Sequence, residues 1–337
     1  MSSPNSTIRT KANPACFLCG STGKIVYRNL TERYFGVPGT WQLKQCPQEP
    51  CGLIWLDPAP VPEDLHLAYH NYFTHSAQAD GRSSVAKTFN DILYRCYQVA
   101  QFIPSVIFGL KRSREDMDSM FLNDVRPGRL LDVGCGAGIL LNRMRQRGWK
   151  VDGIDLDKKA LNYAKNRFDL DLHCGDLAAA KFPDNSFDAV TMHHVIEHVP
   201  NPVEFLKEAR RILKPGGRLV MVTPNTKSNG LREFKEYWFG LDAPRHLNLY
   251  TPENLADCAG RAGLKAVCAF GTAAHADIFF GGSFSIREAA GQRTDGRPQF
   301  NPFRLFRILS RQYAENSQLS KNPDCGEEVV FIGTKQD

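Results

Sequence analysis

The sequence has no long apolar run. Its longest apolar-leaning stretch, Val99 to Leu110, is about twelve residues and contains Gln101, Pro104 and Ser105. Spanning a bilayer takes roughly 20 residues. The first ten residues lack the apolar core of a secretory signal. Charge of one sign is not concentrated either. A formal net charge of +6 over 337 residues permits an anionic substrate but does not provide the basic face that nucleic acid requires. Disulfide density is also missing, because six of the ten cysteines (Cys96, Cys135, Cys174, Cys258, Cys268, Cys325) are scattered singly. These absences argue against a membrane span and a secreted disulfide scaffold, and leave a soluble cytoplasmic protein as the expectation. Length and a hydrophobic share of 42% allow one large domain with a smaller appendage.

The remaining four cysteines form a pattern. Cys16 and Cys19 are spaced as a knuckle, and Cys46 and Cys51 make a second, slightly longer pair. Two such pairs suit a tetrahedral zinc ion held by four thiolates, a closed and therefore structural site. We expect a disordered tail over residues 1–13, a zinc-ribbon-like module over 14–62 and a helical linker or lid over 63–126, where Phe89, Leu93 and Tyr97 fall at helical spacing.

From Arg129 onward the pattern changes. Short apolar strands over 129–133, 150–155, 171–174, 187–192 and 218–223 alternate with helical stretches over 158–168 and 202–213. This alternation predicts a parallel sheet with helices on both faces. Thr251 opens a further helix, and strands follow over 264–270 and 327–335. The domain thus runs over 127–337, with insertions at about 225–250 and 271–326. The second insertion is rich in arginine: Arg287, Arg293, Arg297, Arg304, Arg307 and Arg311.

Asp132 precedes Gly134, Gly136 and Gly138 at the first strand-to-helix junction, where glycines let the backbone turn tightly against a ligand. Asp155 ends the second strand and can accept both hydroxyls of a ribose. Asp176 follows the third strand, where it can accept from an adenine amino group.

Leu131 to Gly138, Gly153-Ile-Asp155, Cys174-Gly-Asp176, Phe187-Asp188, Ile196-Glu-His-Val and Leu213-Lys-Pro-Gly-Gly together resemble the class I S-adenosylmethionine-dependent methyltransferases over about 125–225. The resemblance implies a Rossmann-like seven-stranded sheet whose last strand is antiparallel. It implies that Gly134, Gly136 and Gly138 pass the methionine part of the cofactor, with Asp155 on the ribose and Asp176 on the adenine. Leu156, Leu177 and His193 complete the implied set.

Methyl transfer from a sulfonium needs alignment first, and a base only where the acceptor must lose a proton. Beyond the fourth strand, His194, Glu197 and His198 stand at i, i+3 and i+4, on one face if the chain is helical there. With His246 they make a cluster able to act as a base network or to hold a second divalent metal. Ubiquinone-type O-methyltransferases and small-RNA 2′-O-methyltransferases have a similar spacing, with Glu where this chain has His194, and bind a metal with it. A cysteine module joined to such a core is similar to bacterial methyltransferases of deoxysugars on nucleotide carriers and of polysaccharide or natural-product precursors. That likeness implies a small-molecule acceptor, phosphorylated or glycosylated, with the segment Trp238 to Tyr250 walling its pocket. Arg245 and the arginines of the late insertion either meet an acceptor phosphate or form a solvated face. Two competing readings are an RNA methyltransferase whose zinc module holds RNA, and a non-catalytic protein that keeps the cofactor fold as a scaffold.

Overall fold

A computed structural model describes residues 8–69, 109–289 and 302–337. In chain order the first elements are β1 (Thr10–Lys11), β2 (Lys24–Leu30), β3 (Trp41–Gln45), β4 (Ile54–Leu56) and β5 (Ala59–Pro60), then a 3₁₀ turn over Pro62–Tyr69. The core follows as α1 (Leu110–Asp118), β6 (Arg129–Val133), α2 (Ile139–Gln146), β7 (Lys150–Asp155), α3 (Lys158–Phe168), β8 (His173–Cys174), β9 (Phe187–His193), α4 (Pro202–Ile212) and β10 (Leu213–Pro224). The chain closes with α5 (Asn229–Phe234), β11 (Asn248–Leu249), α6 (Pro252–Arg261), β12 (Leu264–Thr272), α7 (Ala276–Glu288), α8 (Pro302–Leu319) and β13 (Glu328–Lys335).

Among the described residues the core sheet has seven strands in the order β12-β13-β10-β9-β6-β7-β8. Strands β6 to β10 pair in parallel, and β13 runs antiparallel to both β10 and β12. The expected α/β architecture, with its antiparallel last strand, is what forms. Its cause is visible in the strand sequences. Leu130, Leu131, Ala189, Val190, Met192, Leu219 to Val222 and Val329 to Phe331 are fully buried, so both faces of the sheet need helices over them. Local signals set the helix starts. Asp157 accepts from the Lys159 amide to cap α3, and Thr251 and Asn254 form a reciprocal capping box at α6 behind Pro252.

The cysteine-bearing segment is sewn into this core. Its four-stranded sheet has the order β11-β4-β3-β2, so the outer strand β11 comes from the loop after β10. The Leu56 amide donates to the Leu247 carbonyl at 3.0 Å, and Asn254 Nδ2 donates to the Cys51 carbonyl at 2.8 Å. Leu53 and Trp55 share an apolar cluster with Leu131 and Met192.

One boundary differs from expectation. Residues 8–13 are ordered: Thr10–Lys11 pairs with Ala59–Pro60, and Arg9 is held by Asp64 at 2.8 Å. The helical linker is described only as the 3₁₀ turn and α1; Phe89, Leu93 and Tyr97 lie outside the described residues. The insertion near 271–326 supplies α7 and α8, and α7 sets the Phe279 ring 6.1 Å from that of His194.

Candidate cofactor and acceptor site

The loop after β6 places Gly134, Gly136 and Gly138 at φ of 72°, 50° and 70°, conformations that glycine adopts without penalty. At Gly134 a side chain is also sterically barred, because a Cβ would lie 2.5 Å from Val195. Asp155, at the end of β7, receives the Gly136 amide on Oδ2 at 2.7 Å and the Asp157 amide on Oδ1 at 2.8 Å. This carboxylate therefore spans the glycine loop and the start of α3. Beside it Leu156 stands 77% exposed, an apolar surface open to a flat ligand. Asp176 accepts from the Ala179 amide through Oδ1. Leu177 is buried in the core, so its backbone is what remains for a ligand. Asp132 is buried and accepts from Thr191 on the adjacent strand at 2.7 Å. Burial, aided by nearby Asp155 and opposed by Thr191, pushes its pKa up to about 7. Three left-handed glycines, an acid at or just past the ends of three successive strands and an uncovered leucine fit an adenosine-bearing cofactor.

The histidine region does not make the single cluster expected of it. His194 sits at φ 54° ahead of a 3₁₀ turn over Ile196–His198. The helical face is therefore broken, and two groups form. In one, ligand-capable atoms of Glu197, His198 and His246 lie within 4.8 Å of one another; in the other, those of His193, His194 and Glu328 do. His194 joins the two groups. Its Nδ1 meets Glu197 Oε1 at 2.9 Å and its Nε2 meets Glu328 Oε1 at 2.9 Å. Burial opposes charge on this ring, but the two carboxylates outweigh it and raise its pKa to about 10. With both nitrogens engaged, His194 has no free position from which to take a proton from a substrate.

Glu197 is buried and also accepts from Thr223 Oγ1 at 2.9 Å. Burial opposes its ionisation, yet His194, with His198 and His246, lowers its pKa to about 2. His246 Nδ1 contacts the Gly240 carbonyl at 2.8 Å, and His198 Nδ1 contacts the Arg245 carbonyl at 3.0 Å. A carbonyl only accepts, so His246 Nδ1 carries its proton and its Nε2 is left as an acceptor, while His198 Nδ1 also meets the Tyr69 hydroxyl at 2.9 Å. Burial, then His246, lowers the His198 pKa to about 4.

Arg245 does not face an acceptor. Its side chain is fully buried; Nε donates to Asp242 at 2.8 Å and Nη2 to Glu32 at 2.8 Å, beneath the Phe35 ring. The arginines of the late insertion are likewise engaged within the chain. Arg304 bonds the Gly281 carbonyl and Arg311 bonds Glu233, while Arg287, Arg307 and Arg311 stack on Phe284. Arg293 and Arg297 lie outside the described residues. Trp238 and Tyr250, expected along a pocket wall, are buried, and Trp238 donates to Glu327.

The four cysteines converge. Cys16 Sγ lies 3.6 Å from Cys51 Sγ, and Cys19 Sγ lies 3.3 Å from Cys46 Sγ, all four within 4.8 Å. A tetrahedron of 2.3 Å zinc–thiolate bonds has edges of roughly 3.8 Å. The Leu18 and Cys19 amides approach Cys16 Sγ and the Leu53 amide approaches Cys51 Sγ, which is how a knuckle steadies thiolates.

Sequence reasoning missed Glu328, His275, Glu32 and Asp242. Glu328 opens an apolar strand and reads there as a boundary residue. His275 stands alone in the sequence. Neither shows a local signal, because antiparallel pairing of β13 with β10 and β12 is what brings them to the ends of β9.

The family model described as Methyltransferase domain matches residues 110–269. The chain is 37% identical over 138 residues to a ubiquinone biosynthesis O-methyltransferase of Azoarcus sp., covering 39% of this chain and 56% of that protein. It is 32% identical over 150 residues to a protein of the same name from Alkalilimnicola ehrlichii, covering 43% and 58%. The chain thus spans little more than half the length of these curated relatives. A solved SAM-dependent methyltransferase from Archaeoglobus fulgidus is 19% identical, over 70% of this chain and 99% of that one, with a TM-score of 0.45. No helix among the described residues is long and apolar enough to cross a membrane. Residues 110–269 of this chain match that methyltransferase-domain model, and they lie on a seven-stranded, mostly parallel Rossmann-like sheet.

Proposed function

We propose that the chain transfers a methyl group from S-adenosylmethionine to an oxygen of a hydroxylated small molecule, of glycosyl or related polar type. The observation that carries this reading is the set of Asp132, Asp155 and Asp176, with three positive-φ glycines, at the ends of the consecutive parallel strands β6, β7 and β8. The names of the two relatives favour oxygen as the accepting atom. Gly134, Gly136 and Gly138 would admit the amino-acid part, Asp155 and Leu156 would hold the ribose and one face of the adenine, and Asp176 with the Leu177 amide would meet its edge. His193 lies at the open end of β9. When bound, S-adenosylmethionine supplies a methyl on a sulfonium whose departure needs no proton, so alignment provides most of the acceleration.

The chain's own task is to take a proton from the acceptor. His246 suits it: Nδ1 is fixed on the Gly240 carbonyl, Nε2 is left as the acceptor, and Glu197 stabilises the cation formed. His198 is the second base of the same group. The cysteine cluster is read as a closed structural zinc site, which steadies the sheet that contains β11 and hence the loop bearing His246.

His246→Ala is expected to lower kcat about 10²- to 10⁴-fold while leaving the dissociation constant of S-adenosylmethionine within about twofold. Turnover with labelled cofactor against a panel of sugar nucleotides and phenols, beside calorimetry, checks this. An unchanged kcat would remove His246 from the mechanism.

A further inference from the structure

We propose that His193, His194 and Glu328, with His275 bracing the second oxygen of Glu328, form a cation site for a divalent first-row transition metal, separate from the four cysteines and from the Glu197–His198–His246 group. Three imidazoles converge on one carboxylate. His194 Nε2 lies 2.9 Å from Glu328 Oε1, His193 Nε2 lies 3.7 Å from the same oxygen, and His275 Nδ1 lies 3.3 Å from Oε2. Several imidazoles with one carboxylate are the donor set of zinc, iron, cobalt or manganese.

Two further observations point to a cation. His193 Nε2 and Glu328 Oε2 are both buried and make no hydrogen bond of good geometry. The Glu328 side chain is 0% exposed, and buried acceptors left this way are costly; a metal ion between them satisfies both. The second observation is the support behind His194. Its Nδ1 lies 2.9 Å from Glu197 Oε1, and Glu197 is itself held by Thr223. An imidazole whose far nitrogen donates to a buried carboxylate has its orientation fixed, the usual support of a histidine ligand; a metal here would replace the proton that His194 Nε2 shares with Glu328 Oε1.

The site is also open on one side. The side chains of His193, His194 and His275 are 36%, 31% and 27% exposed, so an oxygen of water or of a hydroxylated ligand can complete the shell. Helix α7, from the late insertion, thus acquires a role through His275.

Metal uptake is the test, with Co²⁺ as the probe because its visible absorption distinguishes nitrogen and oxygen ligands from thiolates. Full-length protein with its cysteines zinc-loaded is titrated with Co²⁺, beside Glu328→Gln, His275→Ala and His246→Ala. Wild type is expected to take up one Co²⁺ without thiolate charge-transfer bands. Glu328→Gln and His275→Ala are each expected to weaken that uptake at least about tenfold, and His246→Ala to leave it unchanged. Absence of uptake by folded wild type overturns the proposal. So does uptake indifferent to Glu328→Gln or His275→Ala, or uptake that His246→Ala weakens as much as they do. The readout is the metal alone, so it stands or falls independently of methyl transfer.

Discussion

Arg245→Met is expected to destabilise the protein by about 3–5 kcal/mol, the cost of removing one partner from a buried ion network. The guanidinium is wholly buried and joins Asp242 of its own loop to Glu32 of the loop after β2, with the Ala68 carbonyl on Nη1 at 3.3 Å. Glu32 keeps other partners, because it also accepts from the amides of Tyr34, Phe35, Gly36 and Val37. Asp242 depends on Arg245 more heavily. Burial opposes its ionisation, and Arg245 is the strongest influence holding its pKa down. Methionine preserves much of the volume but leaves that carboxylate without its cation. Urea unfolding followed by fluorescence checks the result, and Arg245→Lys should fall between the two, since an ammonium cannot reproduce the forked contacts. If Arg245 instead served an acceptor phosphate, stability would be nearly unchanged and only acceptor affinity would fall.

Cys46→Ser is expected to remove the tightly held zinc and to loosen the N-terminal sheet, with a loss in apparent melting temperature that chelator reproduces in the wild type. A structural zinc on four thiolates contributes on the order of 10 kcal/mol to the segment it closes. Cys46 is buried against Leu53 and Trp55 in the main apolar cluster, so the damage should not stay local. Strand β11 pairs with β4, and Leu247 to Tyr250 runs directly from His246. Elemental analysis of the wild type should give one zinc per chain, and the variant none. A wild type without zinc, or a variant as stable as the wild type, would contradict the reading of the cysteines.

The core was legible because its signals are local. Strand ends are marked by Asp132 and Asp155, and α6 is marked by Thr251, Pro252 and Asn254. Such features lie within a few residues of one another in sequence. The cysteine cluster was legible from spacing alone, since Cys16, Cys19, Cys46 and Cys51 do converge. The acceptor side was read only in part. The condition for one helical face over His194, Glu197 and His198 is not met, because His194 takes a left-handed conformation and turns its ring between two carboxylates. One of those, Glu328, is 134 residues away. Arg245 was misread for a related reason. In sequence it is a polar residue in a polar loop; its burial depends on Glu32, 213 residues away.

The account rests above all on the cofactor. Calorimetric titration of the purified chain with S-adenosylmethionine and S-adenosylhomocysteine, beside Asp155→Ala, tests it most directly. The account predicts micromolar binding of both ligands by the wild type. Asp155→Ala should weaken both about tenfold or more, since a charged hydrogen bond contributes about 1.5–3 kcal/mol. Absence of binding by folded, zinc-loaded wild type would contradict it and leave the methyltransferase fold as a scaffold.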